Sequence, residues 1–241
     1  VIIRHIEKGV NADFGRDLFP RLYSKEHFYG YNSSEYIKDV GTSDRLESVN
    51  RDFVSGKIAR LNNENARRAI FLDRDGVINK EIGHLHRASD FELLPGVAEA
   101  VKIINKTEYL AILVTNQPVV ARNLCSLEEL GDIHKKMETL LGLEEAKLDG
   151  IYVCPHHPDK GFPEENPAYK IHCSCRKPNT GMIESAILDF NITTVGSHII
   201  GDSWRDIECG QNAGLGTTFI RSGTGNDEHN IEAALTISWR R

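Results

Sequence analysis

The run "AIFLDRDGVIN" (residues 69–79) leads from an apolar segment straight into two carboxylates, Asp73 and Asp75, which bracket Arg74 and precede Gly76. Asp-Gly is a common turn dipeptide, and an acid can close a strand by bonding to the turn backbone, so turn chemistry alone would account for part of this pattern. Two other apolar runs also end in polar chemistry. "YLAILVTNQ" closes with Thr115, Asn116 and Gln117, and "HIIGDSWRD" closes with Asp202, with Asp206 one helical turn further on. Taken singly, Thr115 is an ordinary strand-end residue, Lys177 in "CRKPNTGM" is a solvated charge, and "GDSWRD" is a helix N-cap with a first-turn acid.

A second cluster has a different chemistry. Cys154-x-His156 is followed, after residues 157–172, by Cys173-x-Cys175. Soft thiolates plus an imidazole in a four-ligand set suit tetrahedral Zn²⁺, and a closed set of four is structural rather than catalytic. The intervening loop carries Pro, Gly and acids with little to bury, so a metal would supply order that an apolar core cannot. His157 and His172 are rival ligands ranked below His156, and reduced cysteines with incidental histidines are the plain alternative.

These residues need elements to hold them. From residue 68 onward, short β-rich runs ("AIFLD", "YLAILVTN", "GIYVCP", "SHIIGD", "TTFI") alternate with helical patterns ("PGVAEAVKIINKT", "SLEELGDIHKKMETLLG", "GMIESAILDFN"). The second helix opens on a capping-box pattern, Ser126 with Glu129, and spaces Leu127, Leu130, Ile133, Met137 and Leu140 along one face. The alternation predicts right-handed βαβ units, hence an α/β fold with a mostly parallel sheet in a Rossmann-like three-layer αβα arrangement. Ligands of such sheets bind at the carboxyl ends of the strands, where Asp73, Thr115 and Asp202 fall. Residues 1–59 read differently, aromatic and turn-rich without βα alternation. Residues 60–67 read as a polar linker, and residues 68–241 as the main domain.

The chain has 241 residues, 40% of them hydrophobic, enough for one large α/β domain with an appendage. Its net charge of -6 argues against a nucleic-acid partner held through phosphates. No run of 18 apolar residues offers a membrane span. The opening residues lack a signal peptide's apolar core, and Val1 in place of Met fits an excised or processed piece. Five cysteines, three of them between 154 and 175, favour a reducing, cytoplasmic setting and a metal site over a disulfide framework.

"LDRDG", "LVTNQ", "CRKPNTGM" and "IIGDSWRD", in this order, resemble the four motifs of the haloacid-dehalogenase-like (HAD-like) phosphatases across roughly residues 68–221. The resemblance implies a Mg²⁺-dependent phosphomonoesterase working through an aspartyl-phosphate. By it, Asp73 is the nucleophile, and Asp75 is a general acid and base whose carboxyl a neighbouring anion would keep protonatable near the working pH. Thr115 and Lys177 hold phosphate oxygens. Asp73, the Asp75 backbone carbonyl and Asp202 bind Mg²⁺, with Asp206 in support. The zinc loop (154–175) resembles the branch containing heptose bisphosphate 7-phosphatases and histidinol-phosphate phosphatases. That likeness implies substrate contacts from Glu81, Ile82, Gly83, His84, Asn116, Gln117 and Arg176. Two positions depart from the branch: Pro118 and Val119 follow "TNQ" where a small residue and glycine are common, and Ser203 stands where lysine is common. Both bear on substrate affinity.

Residues of roughly 13–57, through "DFGRDLFP" and "YIKDVGT", resemble the C-terminal end of a sugar-1-phosphate nucleotidyltransferase, in which the aspartate matching Asp39 helps bind metal. That domain's glycine-rich start is absent from the sequence, so no transferase activity is expected, although a longer parent chain would carry such a partner domain. The fusion favours a phosphorylated sugar as substrate, specifically the 7-phosphate of D-glycero-D-manno-heptose 1,7-bisphosphate, whose product is next activated by a nucleotide. Histidinol phosphate is the alternative substrate. A weakly active interaction module of a nucleotidyltransferase is the alternative of another class.

Overall fold

The computed structural model describes residues 2–28, 33, 35–159, 161 and 164–221. The end of the 68–241 domain, three positions of the zinc loop and a few residues of the front segment lie outside the described residues. Two compact units divide between Ser33 and Ser34. In the first, a short 3-10 turn (Ile2–His5) precedes a π-turn (Phe14–Leu18) whose N-cap, Asp13, accepts from the Arg16 N–H at 2.8 Å. The turn, with Leu18 buried, runs into α1 (Phe19–Leu22), where Leu22 is buried and Phe19 meets the Phe28 ring edge-on at 5.5 Å.

The second unit opens with α2 (Ser43–Val54), N-capped by Thr42, and α3 (Lys57–Arg60). Residues 60–67 had read as a linker, yet they are tied down. Arg67 is buried, its N–H donates to the Asn191 carbonyl at 2.9 Å, its Nη2 donates to the Phe190 carbonyl at 2.8 Å, and Asn191 Nδ2 reaches back to the Asn63 carbonyl at 3.1 Å. A polar run of this kind satisfies a helix C-terminus as readily as it forms a linker.

The sheet follows. β1 (Arg68–Leu72), β2 (Tyr109–Asn116), β3 (Gly150–Cys154), β4 (His198–Gly201) and β5 (Gly216–Phe219) are all parallel, in the order β3-β2-β1-β4-β5. The near-continuous apolar runs of β1 and β2 suit strands covered on both faces. Ala69 and Phe71 of β1, with Leu110, Ile112 and Val114 of β2, pack on α6 (Gly181–Phe190) and α7 (Trp204–Asn212) through Met182, Ile183, Ala186 and Cys209. Their alternates Leu72, Ala111 and Leu113 face α4 (Val97–Asn105) and α5 (Leu127–Leu143) through Val101, Leu130, Ile133, Met137 and Leu141. Burying a side chain such as Phe71 is worth about 1.5–3 kcal/mol relative to exposure. The capping box on α5 is present, Ser126 N–H to Glu129 Oε2 at 2.7 Å and Glu129 N–H to Ser126 Oγ at 3.1 Å.

The chain steps from β1 to β2 to β3 with α4 and α5 on one face, then crosses back to β4 and β5 with α6 and α7 on the other. The loops after β1 and β4 therefore diverge, which opens a crevice at their carboxyl ends.

Candidate active site

Asp73 follows β1 directly and extends its pairing with β4, its N–H donating to the Ile200 carbonyl at 3.0 Å. Asp202 follows β4 directly. Asp206, fully buried, closes a reciprocal cap with Ser203: its Oδ2 accepts from the Ser203 N–H at 3.0 Å, and Ser203 caps the start of α7. Serine at this position thus serves the helix that carries Asp206. Carboxylate oxygens of Asp73, Asp202 and Asp206 all lie within 4.8 Å of one another.

Lys177 answers part of this charge. Its buried ammonium lies 2.9 Å from Asp73 Oδ1, 2.5 Å from Asp206 Oδ1 and 2.8 Å from the Val114 carbonyl. The Lys177 backbone is clamped by the Asn116 side chain, which accepts from its N–H at 2.9 Å and donates to its carbonyl at 3.0 Å. Burial works against the lysine's charge, but Asp206 and Asp73 outweigh it and raise its pKa. Burial first, then the nearby Asp206, pushes the Asp73 carboxyl up to about 7. Burial, then Asp73 and Asp206, pushes Asp202 up to about 8. Three carboxylates against one ammonium leave two negative charges over when all are ionised. The complement to that excess is a hard divalent cation with oxygen ligands, and Mg²⁺ fits the donor set.

Asp75 differs from expectation. Burial raises its pKa, yet the Arg74 guanidinium, Gln117 and Asn79 outweigh burial, and the net shift is downward. Arg74 Nη2 donates to both Asp75 oxygens at 3.0 Å, Asn79 Nδ2 to Oδ1 at 2.9 Å, and Gln117 Nε2 to Oδ2 at 2.7 Å. The carboxyls held near neutral pH are Asp73 and Asp202, because Asp75 sits among donors and they sit among acids.

Gly76 lets the backbone after β1 pass close to the Asp202 side chain. Its φ is +76°, and a Cβ there would stand 2.0 Å from Asp202 Oδ2.

The cleft over these groups, about 200 Å³, is lined by Asp73, Asp75, Glu81, Gly83, Asn116, Gln117, Pro118, Val119, Arg176, Lys177, Ser203, Arg205 and the two later aspartates. Of the remaining expected residues, Thr115 is buried beneath it, accepting from Gln117 Nε2 at 2.8 Å. Ile82 is 48% exposed, and His84, half-buried, offers its carbonyl to His86 Nδ1 at 2.7 Å; neither lines the cleft. Pro118 opens a tight turn in which the Arg122 N–H donates to the Pro118 carbonyl at 2.9 Å, and Val119, Val120 and Ala121 are buried there. Asp39 pairs with Arg45 and belongs to neither acidic nor thiolate cluster among the described residues.

The structure also uses residues that sequence spacing did not single out. Arg74, with no exposed surface, joins Asp75 to Gln117 Oε1 at 2.8 Å and lies 3.4 Å from His134 Nε2 on α5. Burial and the guanidinium lower the His134 pKa to about 4, so it faces Arg74 as a neutral imidazole. A basic residue between two aspartates was the available signal for Arg74. Nothing local marked His134 or Asn79.

The second cluster assembles beside the cleft. Cys154 Sγ lies 3.7 Å from His156 Nδ1 and 3.6 Å from Cys173 Sγ; Cys175 Sγ lies 3.4 Å from His156 Nδ1 and 3.3 Å from Cys173 Sγ. Tetrahedral Zn²⁺ with Zn–S near 2.3 Å has edges of about 3.8 Å, and four free donors at these separations fit it. His157 and His172 stand outside this group. Arg176, next in sequence to Cys175, donates from Nη1 to the His156 carbonyl at 2.9 Å.

Acids at the carboxyl ends of β1 and β4, with a lysine between them on a doubly wound parallel sheet, define a HAD-like hydrolase. The HAD-hydrolase-like family model matches residues 174–237. The chain belongs to the D-glycero-D-manno-heptose-1,7-bisphosphate 7-phosphatase family. It is 39% identical over 173 residues to the D-glycero-beta-D-manno-heptose-1,7-bisphosphate 7-phosphatase of Vibrio cholerae, covering 71% of this chain and 90% of that one. To the D-glycero-alpha-D-manno-heptose-1,7-bisphosphate 7-phosphatase of Burkholderia mallei it is 39% identical over 153 residues, covering 64% and 79%. Among solved structures, the D,D-heptose 1,7-bisphosphate phosphatase of B. bronchiseptica, complexed with magnesium and phosphate, matches with a TM-score of 0.60 and 28% identity, over 71% of this chain and 96% of that one.

Proposed function

We propose that this chain hydrolyses the 7-phosphate of D-glycero-D-manno-heptose 1,7-bisphosphate through an aspartyl-phosphate on Asp73. The observation that carries the reading is the convergence of Asp73, Asp202 and Asp206 on one point beside Lys177.

Asp73, Asp202 and the Asp75 backbone carbonyl would hold Mg²⁺, with Asp206 in support. Bound there, the ion would offset the charge between an anionic nucleophile and an anionic phosphate. Asp73 Oδ attacks phosphorus as the bond to the sugar oxygen breaks, and Asp75 gives that oxygen its proton. Water then attacks the aspartyl-phosphate, Asp75 takes the proton back, and Asp73 and inorganic phosphate are released. Asp75 is held ionised by Arg74, so its proton must come with the substrate: the incoming phosphate raises its pKa as a neighbouring anion does. Lys177 and Thr115 hold non-bridging oxygens, Thr115 by a hydroxyl proton that remains after it accepts from Gln117. Glu81, Gly83, Asn116, Gln117 and Arg176, which line the cleft, bound the sugar, and Ile82 and His84 stand outside that lining.

Cys154, His156, Cys173 and Cys175 would bind Zn²⁺ and, through Arg176, hold that edge of the cleft. The likeness of residues 13–57 to a nucleotidyltransferase end supports a longer parent in which the product is activated by a nucleotide. Reduced cysteines support a cytoplasmic setting, and no helix among the described residues is long and apolar enough to cross a membrane.

The test is phosphate release with Mg²⁺ from the heptose bisphosphate and from histidinol phosphate in parallel. A heptose preference of about tenfold or more in kcat/KM, abolished by Asp73→Asn, is expected. The reverse preference would assign the alternative substrate, and absence of turnover would leave an interaction module.

A further inference from the structure

Arg205 has no role in the chemistry above, and its position is costly. It stands in the first turn of α7, where a cation opposes the helix dipole, and its side chain is exposed. No carboxylate among the described residues pairs with it. Its guanidinium instead lies over the Trp204 ring, 4.9 Å from the centroid, a platform that limits where the group can reach.

Arg205 lines two adjoining hollows. One is the catalytic cleft. The other, about 230 Å³, is bounded also by His157, His172 and Asn179, and its one acid, Asp159, lies 3.8 Å from His157. Arg176 and Lys177 line both hollows, so a basic wall runs from the reacting centre outward. Lys177 is committed to Asp73 and Asp206. Arg176 spends Nη1 on the His156 carbonyl and is near enough to Arg205 for their charges to repel. Two guanidiniums and an ammonium against the single carboxylate of Asp159, which also acts on Arg176, leave the second hollow with a positive excess that favours an anion, and the planar forks match phosphate oxygens bidentately.

The catalytic end of the cleft is lined by Asp73, Asp75, Glu81, Asp202 and Asp206, all of which repel a second phosphate. A doubly phosphorylated sugar therefore needs cations for the group that is not being hydrolysed. We infer that Arg205, standing with Arg176, receives that second phosphate and sets the preference for a doubly over a singly phosphorylated sugar. This rests on the function proposed above. It makes Arg205 a specificity-determining residue, supplied by α7 rather than by the zinc loop.

The experiment compares wild type, Arg205→Ala and Arg205→Lys with Mg²⁺ on two substrates, the heptose 1,7-bisphosphate and the same heptose carrying only the 7-phosphate. The expected result is that Arg205→Ala loses at least about tenfold more kcat/KM on the bisphosphate than on the monophosphate, mostly in KM, and that Arg205→Lys recovers part of the difference. Inhibition by the heptose 1-phosphate product should weaken in parallel, because that molecule keeps only the second phosphate. Equal losses on the two substrates, including none on either, would overturn the assignment. A wild-type enzyme without preference for the bisphosphate would remove both this inference and the substrate reading, whereas a preference that survives in Arg205→Ala removes the arginine's role alone.

Discussion

Gly76→Ala is the substitution whose cost the geometry states most directly. The residue sits at φ +76°, where a Cβ is disfavoured by about 1–2 kcal/mol. The new Cβ would also stand 2.0 Å from Asp202 Oδ2, and reaching the 3.4 Å of ordinary contact requires a retreat of about 1.4 Å by a carboxylate expected to hold Mg²⁺. Misplacing a group at the reacting centre by about 1 Å costs on the order of 10²-fold, or about 2.7 kcal/mol in transition-state binding. Gly96→Ala isolates the backbone part, since Gly96 has φ +81° and nothing within 4 Å of its built Cβ. The assay is Mg²⁺-dependent phosphate release together with urea denaturation of both variants. Both should lose stability through φ, and only Gly76→Ala should lose about two orders of magnitude in kcat/KM with a higher Mg²⁺ requirement. Activity within about threefold of wild type in Gly76→Ala, or an equal activity loss in Gly96→Ala, would refute the reasoning.

Three further outcomes are expected. Asp73 and Asp202, ordinarily near 3.8, are held to about 7 and about 8 without metal, so the folded state keeps protons that the unfolded chain has released. The stability of the metal-free protein should therefore fall as pH rises from about 4 to about 8, and the rise in Tm on adding Mg²⁺ should grow across pH 6 to 8, which melts in matched buffers will check. Arg74→Met removes the buried guanidinium that bonds both oxygens of the partly exposed Asp75 and should cost about 1.5–3 kcal/mol in urea denaturation, while the acid limb of the pH-rate profile moves up as Asp75 loses the guanidinium that lowers its pKa. Cys173→Ser should remove bound zinc, measured by metal analysis, and lower Tm and activity, because Arg176 follows Cys175 directly and is held by the His156 carbonyl.

The sheet was readable because β1 and β2 are uninterrupted apolar runs that lead directly to polar residues lining the cleft, Asp73 just after β1 and Asn116 at the end of β2. The thiolate and imidazole set could likewise be chosen over His157 and His172, since C-x-H and C-x-C spacings let ligands converge without a helix to carry them. What could not be read was long-range and electrostatic. Asp75 reads in sequence as one more acid in an acidic site; its lowered pKa comes from Arg74, Asn79 and Gln117 closing on it from three directions. Ser203 reads as a departure from a common lysine, yet it caps the helix that carries Asp206. The polar run at 60–67 has the composition of a tether, and only the three-dimensional neighbourhood of Arg67 reveals an anchored segment.

The amide of Asn116 grips the backbone of Lys177 at both its N–H and its carbonyl, much as a neighbouring strand would. The stretch from His157 to His172 begins and ends at the cluster of Cys154, His156, Cys173 and Cys175, while the lysine beyond it is located independently from β2. Length and composition in that stretch are uncoupled from the position of the Lys177 ammonium. Loops exchanged between relatives at this point should graft a different lip onto an unchanged reaction centre, giving an evolving or engineered lineage a place to vary what enters while the hydrolytic step stays fixed.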